Sequence, residues 1–339
     1  MKRNMKKNMK RVMILTTAGL MISSAPMMLA QTEAAQKANS AKASTTASAL
    51  KNIDAKLVKK VQEELKKVTG KTYSFSQATK WTSGKDTGWD LRIKEARYSD
   101  VRISNGELSY FSLEQKWADL KDTYQQQLKT VLQDLNVGGK VPDTVTLSLA
   151  YDKKYLNPGK LELSASVDNN FITLLDGKIK RIMTSIPSEQ VHQDILDAAD
   201  GAVKGLDGVN KGKLIKAAFV KESNRSIYEL QFESSDPNSP IFINIAEGSK
   251  QVTKVEISSL QDAPSEYTKG YAKLKGYKAD ELLKKAAPQA KSFLKIDLAG
   301  YKGTIDADHP GVIQFTKANS PTIEGIYNTK GQFYHMEIK

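Results

Sequence analysis

The sequence predicts an α+β fold made of tandem units, about four repeats, each with one helix packed on a small antiparallel sheet. Three observations predict this fold. A polar turn followed by a strand of fixed apolar spacing occurs four times. A segment with helical periodicity precedes each of these strands, and short β-like runs lie between. Recurrence of this kind is typical of repeat proteins, whose neighbouring units bury their apolar faces together.

The repeated strand carries apolar residues at its first, fourth and sixth positions, as Leu108, Phe111 and Leu113 do in the first copy. Asn-Gly and Asp-Gly between apolar runs are strong hairpin signals because both residues tolerate positive φ. The step of three residues instead of two predicts a bulge in each hairpin. The four turns are Asn105-Gly106, Asp176-Gly177, Glu247-Gly248 and Lys330-Gly331.

Apolar stripes with the spacing of amphipathic helices precede the four sets of strands. The first stripe, residues 57–68, is followed by Gly70, which fits a helix C-cap. Ser188 fits the start of the third helix, and Pro288 kinks or ends the last one. The helices and strands together divide the chain into repeat units at 51–113, 114–187, 188–260 and 261–339.

The last strands of the third and fourth units, Val252–Ile257 and Phe333–Ile338, have the form apolar-x-x-apolar-x-apolar. With a helix and a small sheet before each such strand, the chain resembles the PepSY-type repeat. That family is associated with peptidase propeptides and with multi-repeat exported proteins of Gram-positive bacteria. The resemblance covers about residues 50–339. It implies a binding or inhibitory module without catalytic residues, one that restrains a protease or localises at the cell surface.

Residues 1–30 have the three zones of a secretory signal peptide: a basic run, an apolar stretch and a small residue, Ala30, at a plausible cleavage point. Thr16, Thr17 and Pro26 interrupt the apolar stretch, which favours a signal peptide over the alternative of an uncleaved membrane anchor. Residues 31–50 have the composition of a flexible tether. We therefore expect a secreted protein, extracellular or associated with the cell wall, with no transmembrane span after signal cleavage.

The net charge of +13 is a poor guide to the partner, because six of the positive charges lie in the signal peptide, which contains no negative one. Lysine dominates the remaining basic residues, whereas specific nucleic-acid recognition depends on the bidentate fork of arginine. We therefore expect no nucleic acid as a partner. The absence of cysteine excludes a disulfide framework, thiolate metal sites and a cysteine nucleophile.

No motif predicts a reaction, and we expect the protein not to be an enzyme. The three histidines are His192, His309 and His335, and none has a second ligand at the short spacing typical of a zinc site. We expect structural or solvated roles for His192 and His335, with neither a metal nor a cofactor. A hydrolase that uses a distant pair of carboxylates stays open as an alternative.

Two groups of residues are candidates for partner binding. Four aromatic residues gather in the first unit around two glycines, where exposed rings would stack on a sugar or on a partner's side chain: Trp81, Trp89, Tyr98 and Tyr110. Core packing across strands is the alternative for all four. The second group is the lysine-rich surface of the first helix, a modest positive handle. Its residues are Lys59, Lys60, Lys66 and Lys67.

The sequence thus predicts a secreted, non-enzymatic binding module. The leading partner is a protein, such as a secreted protease, bound through strand edges or sheet faces. The first alternative is an anionic cell-wall polymer bound through lysines. The second alternative is the carboxylate-based hydrolase.

Overall fold

The computed structural model describes residues 46–48, 50–204, 211–234, 236 and 238–339. The predicted signal peptide and most of the predicted tether lie outside the described residues. Within the described part of the chain, no helix combines the length and the apolar character that crossing a membrane requires.

Five α-helices and seventeen strands are present among the described residues. The helices are α1 (Ala55–Thr69), α2 (Asp122–Asp134), α3 (Gln193–Val203), α4 (Pro264–Gly276) and α5 (Ala279–Phe293). Strand β1 (Thr46–Ser48) precedes α1. After α1 come β2 (Phe75–Ser83), β3 (Asp86–Ile93), β4 (Ser99–Ser104) and β5 (Glu107–Lys116). After α2 come β6 (Thr144–Ala150), β7 (Leu161–Val167), β8 (Asn170–Leu175) and β9 (Lys178–Ile186).

The C-terminal half continues the same succession of helices and strands. After α3 come β10 (Leu214–Glu222), β11 (Ser226–Phe232), β12 (Ile241–Ala246) and β13 (Val252–Ile257). After α4 and α5 come β14 (Lys302–Ile305), β15 (Val312–Thr316), β16 (Ile323–Tyr327) and β17 (Phe333–Ile338).

All seventeen strands join in one antiparallel sheet. From β1 to β13 each strand pairs with the next along the chain. The pairings of β5 with β6 and of β9 with β10 continue the sheet past α2 and α3. The order then inverts, because β13 pairs with β17, followed by β16, β15 and β14.

The predicted fold class is wrong. The strands do not form a small sheet for each helix: they belong to one continuous sheet, and the protein is mainly β. The last set of strands follows two helices instead of one, and α5 continues past Pro288 to Phe293. The sheets merge because a strand at the side of a small sheet still has unpaired backbone groups, and the next strand along the chain satisfies them.

The four predicted hairpins are present, and each contains a bulge. Asn105 and Gly106 have φ values of 50° and 82°, the pair of positive values that a tight type I′ turn requires. The pairing register shifts within each of the hairpins β4–β5, β8–β9, β12–β13 and β16–β17. Each shift explains the apolar step of three, because the extra residue of the bulge means that the next side chain on the buried face comes three residues later instead of two.

Helix α1 shows how local sequence sets the ends and the buried side of a helix. Asp54 caps the N-terminus by accepting a hydrogen bond from the backbone N–H of Lys56 at 2.8 Å. Gly70 ends the helix in the left-handed conformation, with φ of 82°. Val61 and Leu65 are buried, which leaves the lysines on the outer surface.

Two hydrophobic cores lie on the same face of the sheet. The first joins α1 and α2 to β2–β9, and the second joins α3, α5 and Leu274 of α4 to strands of the C-terminal half. Ile182 belongs to the first core and Ile186 packs against the second, and both side chains lie on the same face of β9. The opposite face of the sheet, called the polar face below, carries the candidate sites.

Candidate functional site

The polar face carries mainly hydroxyl and charged side chains. In the middle of the sheet Ser112 of β5 faces Ser148 of β6, and the Ser148 hydroxyl donates to that of Ser112 at 2.9 Å. A small buried apolar patch of Met183, Val220 and Ile227 lies farther along this face. The two ends of the polar face differ in chemistry: one carries aromatic rings and the other a series of charges.

The aromatic end is the Trp81 cluster, which consists of Trp81, Arg102, Tyr110 and Tyr155. The half-buried Trp81 ring lies against Gly88, its cross-strand partner in β3. A Cβ atom at Gly88 would overlap both the Trp81 ring and the backbone carbonyl oxygen of Ile103. Only glycine therefore leaves room for the ring at this point of the sheet.

Arg102 connects the members of the Trp81 cluster. Its Nε donates to Asp90 Oδ1 at 2.9 Å and its Nη2 to Oδ2 at 3.4 Å. Its guanidinium carbon lies 6.0 Å from the Trp81 ring centroid, within the range of a cation–π contact. Tyr110 and Tyr155 stack with their ring centroids 5.3 Å apart. Tryptophan, tyrosine and arginine are the residue types that dominate protein-binding surfaces.

The structure separates the two predicted tryptophans. Trp89 follows Gly88 in β3, so its side chain points to the face opposite Trp81. There it packs against the first hydrophobic core, and the Lys80 ammonium lies 5.9 Å from its ring centroid. Trp89 therefore fits the core-packing alternative, and one flat ligand does not contact both indole rings.

The four predicted lysines are exposed on α1, but they are not equivalent. Lys60 Nζ lies 2.6 Å from a carboxylate oxygen of Glu107, and Lys67 pairs with a glutamate of its own helix, also at 2.6 Å. Lys59 and Lys66 make no ion pair with the residues that the structure describes. Half of the predicted basic surface is therefore already neutralised within the protein.

The other end of the polar face carries the charge ladder, a series in which basic and acidic side chains alternate. The sheet register aligns it, since Glu229, Asn244, Lys254, Glu337 and Glu324 are successive cross-strand neighbours. In spatial order the charge ladder consists of Arg181, Glu229, Lys254, Glu256, His335, Glu337, Lys339 and Glu324.

Arg181 and Glu229 form the first contact of the charge ladder. Arg181 Nη2 donates to both carboxylate oxygens of Glu229, at 2.7 and 2.8 Å. Glu229 is only 4% exposed. Burial raises the pKa of Glu229, and the positive charges of Arg181 and Lys254 offset this only in part. The ionised carboxylate therefore depends on its guanidinium partner.

His335 lies at the centre of the charge ladder. Its Nδ1 is 3.6 Å from Glu256 and its Nε2 is 3.6 Å from Glu337, and neither nitrogen has a hydrogen-bond partner among the described residues. Burial alone would raise the pKa of both glutamates, but His335 and one lysine beside each lower both values to about 2. Both glutamates are therefore ionised at neutral pH.

A group of three side chains in the charge ladder has the donor atoms of a metal site. Atoms of Glu324, His335 and Glu337 all lie within 4.8 Å of one another, the one such group of three or more among the described residues. Lys339 Nζ lies beside them, 3.0 Å from Glu324 and 2.7 Å from Glu337. The two carboxylates thus already hold a positive charge.

Two depressions of about 360 and 400 Å³ lie elsewhere in the described part of the protein. The first follows the end of α2 at residues 136–141, and the second lies at the turn between β10 and β11. Neither is lined by a member of the Trp81 cluster or by a histidine.

No protein-family model matches the chain, and no curated protein matches it. The PepSY-type resemblance therefore stays a prediction, and the candidate sites depend on geometry alone.

Two members of the Trp81 cluster, Arg102 and Tyr155, were not predicted from the sequence, whereas Trp81 and Tyr110 were. The Asn105-Gly106 turn sets the register of its hairpin, and that register places Arg102 opposite Tyr110. The position of Arg102 was therefore predictable from the sequence. Tyr155 lies in the loop between β6 and β7, which no local pattern positions. The charge ladder was missed because its members are far apart in sequence.

Proposed function

We propose that the protein is an exported, non-enzymatic binding module that contacts a protein partner through the Trp81 cluster. The observation that carries this proposal is the Trp81 ring, half-buried against Gly88 and flanked by Arg102, on the face opposite the cores. Large, rigid aromatic groups beside arginine supply much of the binding energy of protein interfaces.

The Trp81 cluster is preorganised, which favours binding. Arg102 and Tyr110 lie on β4 and β5, which are paired on both sides. Trp81 lies on β2, which pairs with β3 and, at Ala78–Lys80, with β1. The contact with Asp90 holds Arg102, and stacking on Tyr155 holds Tyr110. Side chains that are already ordered lose little entropy when a partner binds, so more of the contact energy appears as affinity.

A secreted protease is the partner class that the PepSY-type resemblance implies. The test uses the full chain with thermolysin and, separately, subtilisin, measuring casein hydrolysis and binding by calorimetry. We expect saturable, dose-dependent inhibition of one enzyme. Truncating Trp81 to alanine should cost about 2 kcal/mol of binding free energy, roughly thirtyfold in affinity. Failure to bind either enzyme would remove the protease as the leading partner.

A matched control separates the Trp81 cluster from a general effect of losing an aromatic group. Tyr271 on α4 is an aromatic residue that is 39% exposed and lies outside the polar face. Tyr271→Ala should leave the affinity unchanged. Equal losses in Trp81→Ala and Tyr271→Ala would contradict the assignment of the binding surface.

Lys59 and Lys66 favour a second candidate function, retention on an anionic cell-wall polymer. They are seven residues apart on α1, which places two ammonium groups without a described carboxylate partner on one side of the helix. We expect retention on purified walls that falls with added salt. Replacing both residues by alanine should lower retention more than replacing Lys60 and Lys67. No arrangement among the described residues favours the carboxylate-based hydrolase over these two functions.

A further inference from the structure

A candidate cation site lies between β16 and β17, at the end of the polar face away from the Trp81 cluster. Glu324 and Glu337 are direct cross-strand partners, and His335 lies two residues before Glu337 on the same strand. Side chains two apart on a strand share a face, so the sheet brings the three donor groups together. The site is held by paired backbone and does not depend on a loop.

The buried imidazole of His335 is the observation that points to a ligand. Its side chain is 2% exposed, and each ring nitrogen lies 3.6 Å from a carboxylate oxygen, longer than a good hydrogen bond, with no closer partner among the described residues. A buried polar atom without a partner is costly, and native proteins rarely leave one. Nε2 faces Glu337, so a metal ion held by the two carboxylates would supply the missing partner.

The other ring nitrogen has the surroundings expected of a metal-binding histidine. Nδ1 faces Glu256 at 3.6 Å, and the Lys254 ammonium lies 3.0 Å from the same carboxylate oxygen. In metal sites a carboxylate behind the histidine typically accepts the second ring N–H, which orients the ring and directs the lone pair of the other nitrogen to the metal. Glu256 occupies that position relative to His335.

The Lys339 ammonium now lies where the cation would bind. Its distances of 3.0 and 2.7 Å to the carboxylate oxygens are those of an ion pair. Zn²⁺ binds carboxylate oxygen at about 2.0–2.2 Å, so the carboxylates would close slightly around the smaller ion. The Lys339 side chain is one-third exposed and moves into water without being buried elsewhere.

We propose that Glu324, His335 and Glu337 bind a divalent transition metal, preferentially Zn²⁺, in exchange for the Lys339 ammonium. One imidazole nitrogen and two carboxylate oxygens with a free fourth position suit Zn²⁺. Mg²⁺ and Ca²⁺ prefer oxygen ligands in larger number. The sequence does not indicate this group, because its ligands come from two strands and not from a short-spaced motif. This site is independent of the proposed partner surface.

The test titrates the full, metal-stripped chain with Zn²⁺ alone by calorimetry. Co²⁺ serves as a second probe, because a tetrahedral Co²⁺ site has strong visible absorption. We expect one ion per chain and a higher melting temperature with Zn²⁺. Glu337→Gln removes a ligand and should weaken Zn²⁺ binding by about 100-fold or more, beyond the range for residues behind the ligands.

Two further variants keep the result interpretable if Glu337→Gln is poorly folded. Lys339→Ala removes the competing ammonium and should strengthen Zn²⁺ binding, the opposite direction to a loss of structure. Glu162→Gln changes a carboxylate of the polar face in β7, which pairs with Lys180 outside the charge ladder, and should leave Zn²⁺ binding unchanged.

Two outcomes would overturn the proposal. The first is the absence of saturable binding of Zn²⁺ and Co²⁺ to the full chain. The second is binding that Glu337→Gln and Lys339→Ala leave unchanged, because such binding would belong to other surface groups.

Discussion

The two ends of the polar face contain the same interaction in different surroundings. In the Trp81 cluster Arg102 contacts Asp90 through two nitrogens, and the two side chains are 40% and 35% exposed. In the charge ladder Arg181 contacts Glu229, and these side chains are 19% and 5% exposed. Water competes for the first pair and is largely excluded from the second. The chemistry of the groups is alike, so burial decides what each pair contributes to stability.

The difference explains why we assign partner binding to the Trp81 cluster and a structural role to the Arg181–Glu229 pair. An exposed arginine beside a tryptophan ring is available to a partner. The buried Glu229 carboxylate is already bound by Arg181. A partner could reach it only after these contacts had been broken, which would cost free energy.

Removing the buried arginine should have the largest effect on stability. Arg181→Met leaves the Glu229 carboxylate buried without its guanidinium partner, so we expect a loss of about 3–5 kcal/mol in the free energy of unfolding. Arg102→Met removes the exposed counterpart and should cost about 1 kcal/mol or less. Urea unfolding of both variants measures the contrast. Equal losses would show that burial does not distinguish the two pairs.

The loss of stability caused by Arg181→Met should also depend on pH. The pKa of Glu229 is higher in the folded protein than in the unfolded chain. The stability that Glu229 contributes is therefore fully present below its pKa in the unfolded chain, and it is lost as the pH rises through its pKa in the folded protein. Without Arg181 the pKa rises further, and the deficit relative to the unmodified protein should grow from acid to neutral pH. Adding Glu229→Gln to Arg181→Met should remove that growth.

An added methyl group at Gly88 should have an intermediate effect. Gly88→Ala places a Cβ against the Trp81 ring and a backbone carbonyl, and we expect a loss of about 1–3 kcal/mol together with weaker partner binding. Gly201→Ala, in α3, meets no atom within 4 Å and should instead stabilise the protein by about 0.5–1 kcal/mol. Thermal unfolding of the two variants distinguishes a local clash from a general intolerance of alanine.

The lysines of α1 should have the smallest effects. Lys60→Ala breaks an exposed pair with Glu107 and should cost about 0.2–1 kcal/mol. Lys59→Ala breaks no described pair and should change the free energy of unfolding by about 0.5 kcal/mol or less. A loss of several kcal/mol in either variant would mean that α1 depends on its surface charges, contrary to the buried stripe that holds it in place.

Local features of the fold were predictable because their causes lie within a few residues. The Asn105-Gly106 turn needs two residues that accept positive φ, and the bulge beside it follows from the apolar step of three. The N-terminal and C-terminal caps of α1, Asp54 and Gly70, are equally local. Such signals define elements, but they do not state which elements pair.

The continuity of the sheet was not predictable in the same way. Strand β5 would alternate buried and half-buried residues whether it ended a small sheet or paired with β6, so its pattern does not reveal its second neighbour. The pairing of β13 with β17 instead of β14 likewise depends on where α4 and α5 place the last strands. These choices are made by packing between distant segments.

In the candidate sites, too, some features follow from local sequence and others from packing between distant segments. Strand alternation correctly places His335 on the side of β17 away from the adjacent core residue Met336, but that side is itself buried. Trp81 and Trp89 lie close in sequence, yet one residue of register sends them to opposite faces. Counting from the turn between β2 and β3 would have separated them, whereas the burial of His335 depends on neighbours that the sequence does not specify.

The inverted order of the last four strands has a consequence for association between molecules. An unpaired, long outer strand invites another chain to extend the sheet. Among the described residues the outermost strands are β1 and β14, of three and four residues. Strand β1 pairs with β2 only at Ala78–Lys80, and α5 packs alongside β14. The inversion places the longer β17 inside the sheet and leaves the short β14 outside. At the β14 edge, lateral growth into fibrils therefore has little backbone to start from, even though the sheet is seventeen strands wide.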